Sequence, residues 1–199
     1  MERTTDTRTD ATRAVAPLPR NGRQRLVVER VSPEIDAGRF SIKRTVGETV
    51  DVSADLFADG HDVIAGVLRY RARPAPARAR AGETGESWRE VPLRHLENDR
   101  WGASFMVEAL GRAEYTVEAW VDGFGTWLKG LIAKAEAGQD VSSELLEGAE
   151  LVQRAASRAG ADPGQNLRLL EVADKLKSDL PQRARVSAAR DPQLKALMD

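Results

Sequence analysis

The 199-residue chain holds two histidines, His61 in the turn Asp59-Gly60-His61-Asp62 and His95 beside Asn98-Asp99. Neither stands at ligand spacing from the other, and the chain has no cysteine, so the usual His/Cys arithmetic builds no metal site. Both read as polar surface residues of loops. Glu144, Glu147 and Glu150 recur every three residues, which on a helix puts them on one side, where they could hold a cation or share a proton. The plainer reading is a solvated acidic face opposite an apolar stripe. The phosphate loops Gly-x-x-x-x-Gly-Lys-Ser/Thr and Gly-x-Gly-x-x-Gly are absent, and so is the Gly-x-Ser-x-Gly of serine hydrolases. The residues carry no catalytic, cofactor-binding or metal-binding assignment. What remains is the densest aromatic group, Trp120, Asp122, Phe124 and Trp127. An exposed Trp would suit stacking on a sugar ring, but filling a junction between domains is the commoner use, so these four are junction and interface candidates.

The elements that position them come from periodicity. Residues 1–24 are polar and aperiodic and are expected to form a disordered leader. From 25 to 122 short runs alternate apolar and polar, most clearly Val50, Val52, Ala54 and Leu56 against Thr49, Asp51, Ser53 and Asp55. Further runs cover Leu26–Val31, Arg39–Arg44, Val63–Arg71, Trp88–Arg94, Trp101–Val107 and Ala113–Val121. Seven short strands between turn residues predict an immunoglobulin-like β-sandwich, with the last two as antiparallel neighbours across Leu110-Gly111. The stretch 72–87 is too polar to pack and too long for a tight turn, and is expected to be a mobile hairpin insert.

From 123 to 199 the period becomes helical. Trp127–Ala137 carries Leu128, Leu131, Ile132 and Ala135 on one stripe before Gly138. Asp140 is placed to cap a second helix with Val141, Leu145, Ala149, Val152, Ala156 and Ala159 as its stripe. A third follows Asp162-Pro163-Gly164 with Leu169, Ala173, Leu176 and Leu180, and Asp191-Pro192 starts a fourth. The sandwich is thus followed by a helical bundle. Thirty Lys and Arg against 31 Asp and Glu leave a formal charge of −1, which provides no pull toward nucleic acid or anionic lipid, and neither is expected as a partner. No run approaches the ~20 apolar residues of a membrane span or forms a secretory signal, and the cytoplasm is the expected location.

Ordered motifs along the chain resemble one family. Ser32-Pro33-Glu34-Ile35-Asp36-Ala37-Gly38-Arg39-Phe40 with Lys43-Arg44, then Asp55-Leu56-Phe57-Ala58-Asp59-Gly60-His61-Asp62, are similar to the amino-terminal domain of bacterial α-1,4-glucan:maltose-1-phosphate maltosyltransferases, in the α-amylase superfamily. Trp88-Arg89-Glu90-Val91-Pro92-Leu93, Asn98-Asp99-Arg100-Trp101, Tyr115-Thr116-Val117-Glu118-Ala119-Trp120-Val121-Asp122 and Leu146-Glu147-Gly148-Ala149-Glu150-Leu151 extend the match in order. The chain departs from the pattern in a longer 72–86 insert and in Gly123 and Gly125 beside Phe124.

The resemblance implies a maltosyl unit transferred from α-maltose 1-phosphate to the non-reducing end of an α-1,4-glucan with retained configuration, in a full-length protein that is a homodimer and uses no cofactor. It implies that the carboxylates doing this lie on a β/α barrel absent from this chain, so that no catalytic residue is assigned here and the chain alone is expected to be inactive. It further implies that the bundle is inserted in the sandwich and that the chain ends before the sandwich's closing strand. Two other readings stay open. One is a stand-alone module binding α-glucan through aromatics such as Trp88, Trp101 or Trp120, and the other is a purely structural interaction domain.

Overall fold

The computed structural model describes residues 26–74, 87–157 and 162–198. The expected leader, and residues 75–86 of the expected insert, lie outside the described residues. In chain order the strands are β1 (Leu26–Ser32), β2 (Thr49–Ala58), β3 (Val63–Pro74), β4 (Arg89–Pro92), β5 (Arg94–Glu97), β6 (Arg100–Met106) and β7 (Gly111–Asp122). They form two sheets, ordered β1-β2-β6-β5 and β4-β3-β7, with every pairing among the described residues antiparallel.

Alternation on β2 works as its sequence requires: Val50, Val52, Ala54 and Leu56 are buried, and Asp51, Ser53 and Asp55 face outward. These four side chains meet Leu68 of β3, Leu93 and Phe105 of β6, and the cluster continues into Tyr70, Tyr115, Val117 and Ala119 of the second sheet. The Phe105 ring stacks on Tyr70 with centroids 4.6 Å apart and lies 5.9 Å from Tyr115, so aromatic contacts cross from one sheet to the other.

Four expectations are corrected. Arg39–Arg44 is not a strand: Asp36, Ala37 and Gly38 take successive left-handed conformations, Arg39 N–H donates to Asp36 O, and the chain curls into a turn that leaves only an isolated Ile35–Phe40 bridge. The run Trp88–Arg94 divides into β4 and β5 on different sheets. Leu93 is the switch, for its N–H still reaches Gly66 O of β3 at 2.9 Å while Arg94 pairs with Gly102 of β6. Gly66 makes room for it, since a Cβ there would stand 2.9 Å from Leu93 Cδ1 and 2.8 Å from Glu118 O. β6 and β7 are not neighbours, because β6 is already paired on both sides, by β2 and β5. Finally, Ala72–Pro74 do not belong to an insert; they extend β3 against Gly111–Ala113.

Five helices follow: α1 (Gly123–Glu136), α2 (Ser142–Ala156), α3 (Pro163–Lys177), α4 (Gln182–Ala189) and α5 (Pro192–Met198). α1 starts four residues earlier than its apolar stripe indicates, because Asp122 caps it. The Asp122 carboxylate accepts from Gly125 N–H at 2.8 Å, and β7 passes into α1 without a loop. Val63 N–H, opposite Asp122 on β3, donates to Thr126 Oγ1 at 2.8 Å and ties the first turn of α1 to the sheet. Gly125 fits this turn for a steric reason, since a Cβ would lie 2.3 Å from Asp122 Oδ2.

Asp191 accepts from Gln193 N–H at the start of α5, as expected, whereas Asp162-Pro163-Gly164, expected as a turn ahead of the third helix, is the start of α3 itself, with Asp162 as its N-cap accepting from Gly164 N–H. Asp140 instead precedes the N-cap residue Val141 and holds Ser142 through its N–H and hydroxyl, bonds that keep the Asp140 carboxyl below its ordinary pKa. α4 was not expected. Only Val186 and Ala189 of its eight residues are buried, too few to print a stripe. Leu180 lies beyond α3 and is exposed.

The helical core gathers Leu131, Leu145, Ala149, Val152, Leu169, Ala173, Leu176 and Leu194 around Phe124 and Trp127. Trp127 packs against α2. Its indole N–H donates to Glu144 O at 2.7 Å, and Gly148 carries no side chain where a Cβ would come within 1.9 Å of the ring.

Replacing Gly148 by Ala forces the indole off α2, and an overpacked site of this kind costs about 1–3 kcal/mol. Trp127→Ala is expected to cost about 3–5 kcal/mol, as buried aromatic truncations do. Urea denaturation followed by helical circular dichroism checks both, and unchanged midpoints would show that the ring is not seated there. Asp122→Ala removes a capping acceptor and is expected to lower stability by about 0.5–2 kcal/mol in the same measurement, while Asp122→Asn recovers most of it.

Candidate functional site

The residues singled out for chemistry are placed apart from one another. His61 is exposed in its turn, and His95 is exposed with Nε2 at 2.5 Å from Asn98 O and its ring edge-on to Trp101 at 5.3 Å. Among the described residues no group of three or more His, Asp or Glu is arranged to hold a metal ion. Glu144 is bound to Lys134 of α1, whose ammonium holds the Glu144 carboxyl below its ordinary pKa, while Glu147 and Glu150 are exposed. The triplet is therefore one inter-helix ion pair and two solvated carboxylates.

Other carboxylates of interest are committed to structure. Asp55 takes Arg100 at 2.8 Å and Arg30 at 3.2 Å, and Arg100 also donates to Ser53 Oγ. Asp122 is the cap of α1. Tyr115 donates its hydroxyl to Pro33 O, and burial pushes that phenol's pKa up. An open groove of about 1030 Å³ among α1, α3, α4 and α5 is lined by Glu136, Lys175, Arg183, Arg190 and Asp191, with Arg190 and Glu136 paired at 3.6 Å. Its floor is of mixed character, with Ile132, Val172 and Val186 beside these charged side chains.

The aromatic quartet divides. Phe124 and Trp127 are 6% and 7% exposed in the helical core with rings 5.3 Å apart, and Asp122 sits at the strand-to-helix transition. Trp120 goes elsewhere. It is 45% exposed on the outer face of the β4-β3-β7 sheet, across from Ala65.

That outer face carries an arrangement the sequence reading missed. Strand parity with buried Leu68 turns Ala65, Val67, Arg69 and Arg71 outward, beside Glu114, Glu118 and Trp120 on β7 and Glu90 on β4. Arg69 bridges Glu118 at 2.8 Å and Glu90 at 3.1 Å, and Arg71 pairs with Glu114 at 2.7 Å. Both guanidinium groups lie over the Trp88 ring, Arg71 at 4.5 Å and Arg69 at 5.5 Å from its centroid. The signal was present as opposite charges at period two on Arg69-x-Arg71 and Glu114-x-x-x-Glu118, legible once β3 and β7 are known to pair.

Comparison with known proteins assigns the family. Residues 24–199 match the model of the α-1,4-glucan:maltose-1-phosphate maltosyltransferase domain N/S. The α-1,4-glucan:maltose-1-phosphate maltosyltransferase of Chlorobaculum tepidum is 51% identical over 141 residues, which is 71% of this chain and 20% of the relative. That of Myxococcus xanthus is 52% identical over 132 residues, 66% of this chain and 19% of the relative. Maltosyltransferase 2 of Streptomyces coelicolor is 35% identical over 179 residues, 87% of this chain and 25% of the relative. The chain thus spans a fifth to a quarter of the length of these relatives. With two antiparallel sheets, a helical core and a match over nearly all its residues, the chain belongs to the α-1,4-glucan:maltose-1-phosphate maltosyltransferase family, as a domain N/S.

Proposed function

We propose that this chain is the non-catalytic amino-terminal part of a retaining maltosyltransferase, which moves a maltosyl unit from α-maltose 1-phosphate to the non-reducing end of an α-1,4-glucan. The match of residues 24–199 to the family's domain N/S carries this reading. Strand order supports an immunoglobulin-like sandwich for the first half, since β1-β2-β6-β5 and β4-β3-β7 follow the A-B-E-D and C′-C-F arrangement of that fold.

Retention requires double displacement. A carboxylate attacks the anomeric carbon as phosphate leaves, and the acceptor hydroxyl then displaces that carboxylate while a second carboxyl group takes its proton. The two groups stand about 5–5.5 Å apart in such sites. Three carboxylates of this chain are poor candidates: Asp55 is held by two arginines, Asp122 by a helix start and Glu144 by Lys134. The reacting pair belongs to a β/α barrel elsewhere in the protein, and this region serves assembly, including subunit contact in a homodimer. A cytoplasmic location agrees with α-glucan synthesis, and among the described residues no helix is long and apolar enough to cross a membrane.

The purified chain, incubated with α-maltose 1-phosphate and maltohexaose, is expected to release phosphate only at the blank rate, whereas the full-length protein releases it in step with acceptor elongation. Release above blank by the chain itself would overturn the non-catalytic assignment. Light scattering on the full-length protein is expected to give twice the subunit mass.

A further inference from the structure

The outer face of the β4-β3-β7 sheet presents one large aromatic side chain, Trp120, that stays 45% exposed among the described residues. We propose that Trp120 and its neighbours form a surface subsite for an α-1,4-glucan, with the indole stacking on a pyranose ring and Glu118 and Arg69 meeting the hydroxyls at its rim.

The four tryptophans separate by environment. Trp127 is sealed in the helical core, Trp101 is half-buried with His95 against it, and Trp88 already carries the Arg71 guanidinium 4.5 Å from its centroid. Trp120 is 45% exposed, and its cross-strand partner is Ala65, too short to cover an indole. Val67 and Pro92 continue a low apolar floor beside it.

Charge on this face disfavours an anionic ligand. Arg69 is paired with both Glu90 and Glu118, and Arg71 with Glu114, so two guanidinium groups face three carboxylates and the surface offers planar hydrogen-bonding groups with one negative charge in excess. A pyranose has an apolar ring face and a rim of uncharged hydroxyls, the complement of an indole next to paired guanidinium and carboxylate groups. The platform is also rigid, because β7 is paired to β3 from Gly111 to Asp122 and binding would order little backbone. The choice of α-1,4-glucan rests on the function proposed above. A repeating polymer gains from a weak subsite away from the reacting end, which holds one part of a chain near the enzyme while another part reacts.

Native electrophoresis of the chain through gels containing soluble glycogen, with dextran gels as control, tests the proposal. The wild-type chain should be retarded by glycogen and not by dextran. Trp120→Ala should bind roughly fivefold more weakly, the scale of one lost aromatic contact, and Trp88→Ala should be retarded like wild type. Hydrogen exchange on the unsubstituted chain gives a readout free of folding effects: maltoheptaose should slow exchange across residues 116–122. An unretarded wild-type chain, equal retardation of Trp120→Ala, equal retardation by dextran or unchanged exchange would each overturn the subsite. A full-length protein that transfers maltosyl units while the chain is unretarded would overturn the subsite and leave the proposed function standing.

Discussion

The carboxylate of Asp122 sets the relation between the two halves of the molecule. β7 ends and α1 begins at that residue, with the side chain accepting from Gly125 N–H and the neighbouring strand bonded to Thr126 through Val63 N–H. A helix start leaves its first N–H groups without partners, and here one is satisfied by the last residue of a strand. No linker intervenes, so the direction of β7 determines where α1 projects. Phe124 and Trp127 are thereby delivered to the helical side, and Trp120, on the strand two residues before the cap, stays with the sheet. Gly125 belongs to the same constraint, because the cap occupies the space a Cβ would need.

Beyond that junction each half rests on one close approach allowed by a glycine. In the helical half the Trp127 indole takes the place a side chain at Gly148 would fill, and Leu145, Ala149 and Val152 then meet α3 around it. In the sheets Gly66 admits Leu93, which lets the chain leave β4 in one sheet and enter β5 in the other within a single residue. Both contacts join residues far apart in sequence, and both are steric: a methyl group at either glycine meets atoms that cannot move cheaply.

The surface divides along similar lines. Committed charges, such as Arg100 with Asp55 and Lys134 with Glu144, stitch neighbouring elements together. On the β4-β3-β7 face the Arg and Glu side chains pair with one another across strands and leave an aromatic plane beside them. Asp55 and Asp122 are likewise held in structural contacts, the first by Arg100 and Arg30 and the second by the start of α1.

The period of the side chains was enough to place β1, β2, β3, β6, β7 and the helices α1, α2, α3 and α5, since burying one face of a strand or helix writes its spacing directly into the chain. The helix start at Asp191 was equally local. Tertiary structure decided the rest, because the deciding contacts are not local. Whether β6 neighbours β7 depends on β6 being claimed by β2 and β5. Whether Trp88–Arg94 is one strand or two depends on the pocket at Gly66, and α4 is held by neighbours rather than by a stripe of its own. The aromatic cluster shows the limit most clearly. Spacing put Trp120, Asp122, Phe124 and Trp127 together, but the change from a two-residue to a 3.6-residue period at Asp122 sends their side chains to an open sheet face, a helix cap and a buried core.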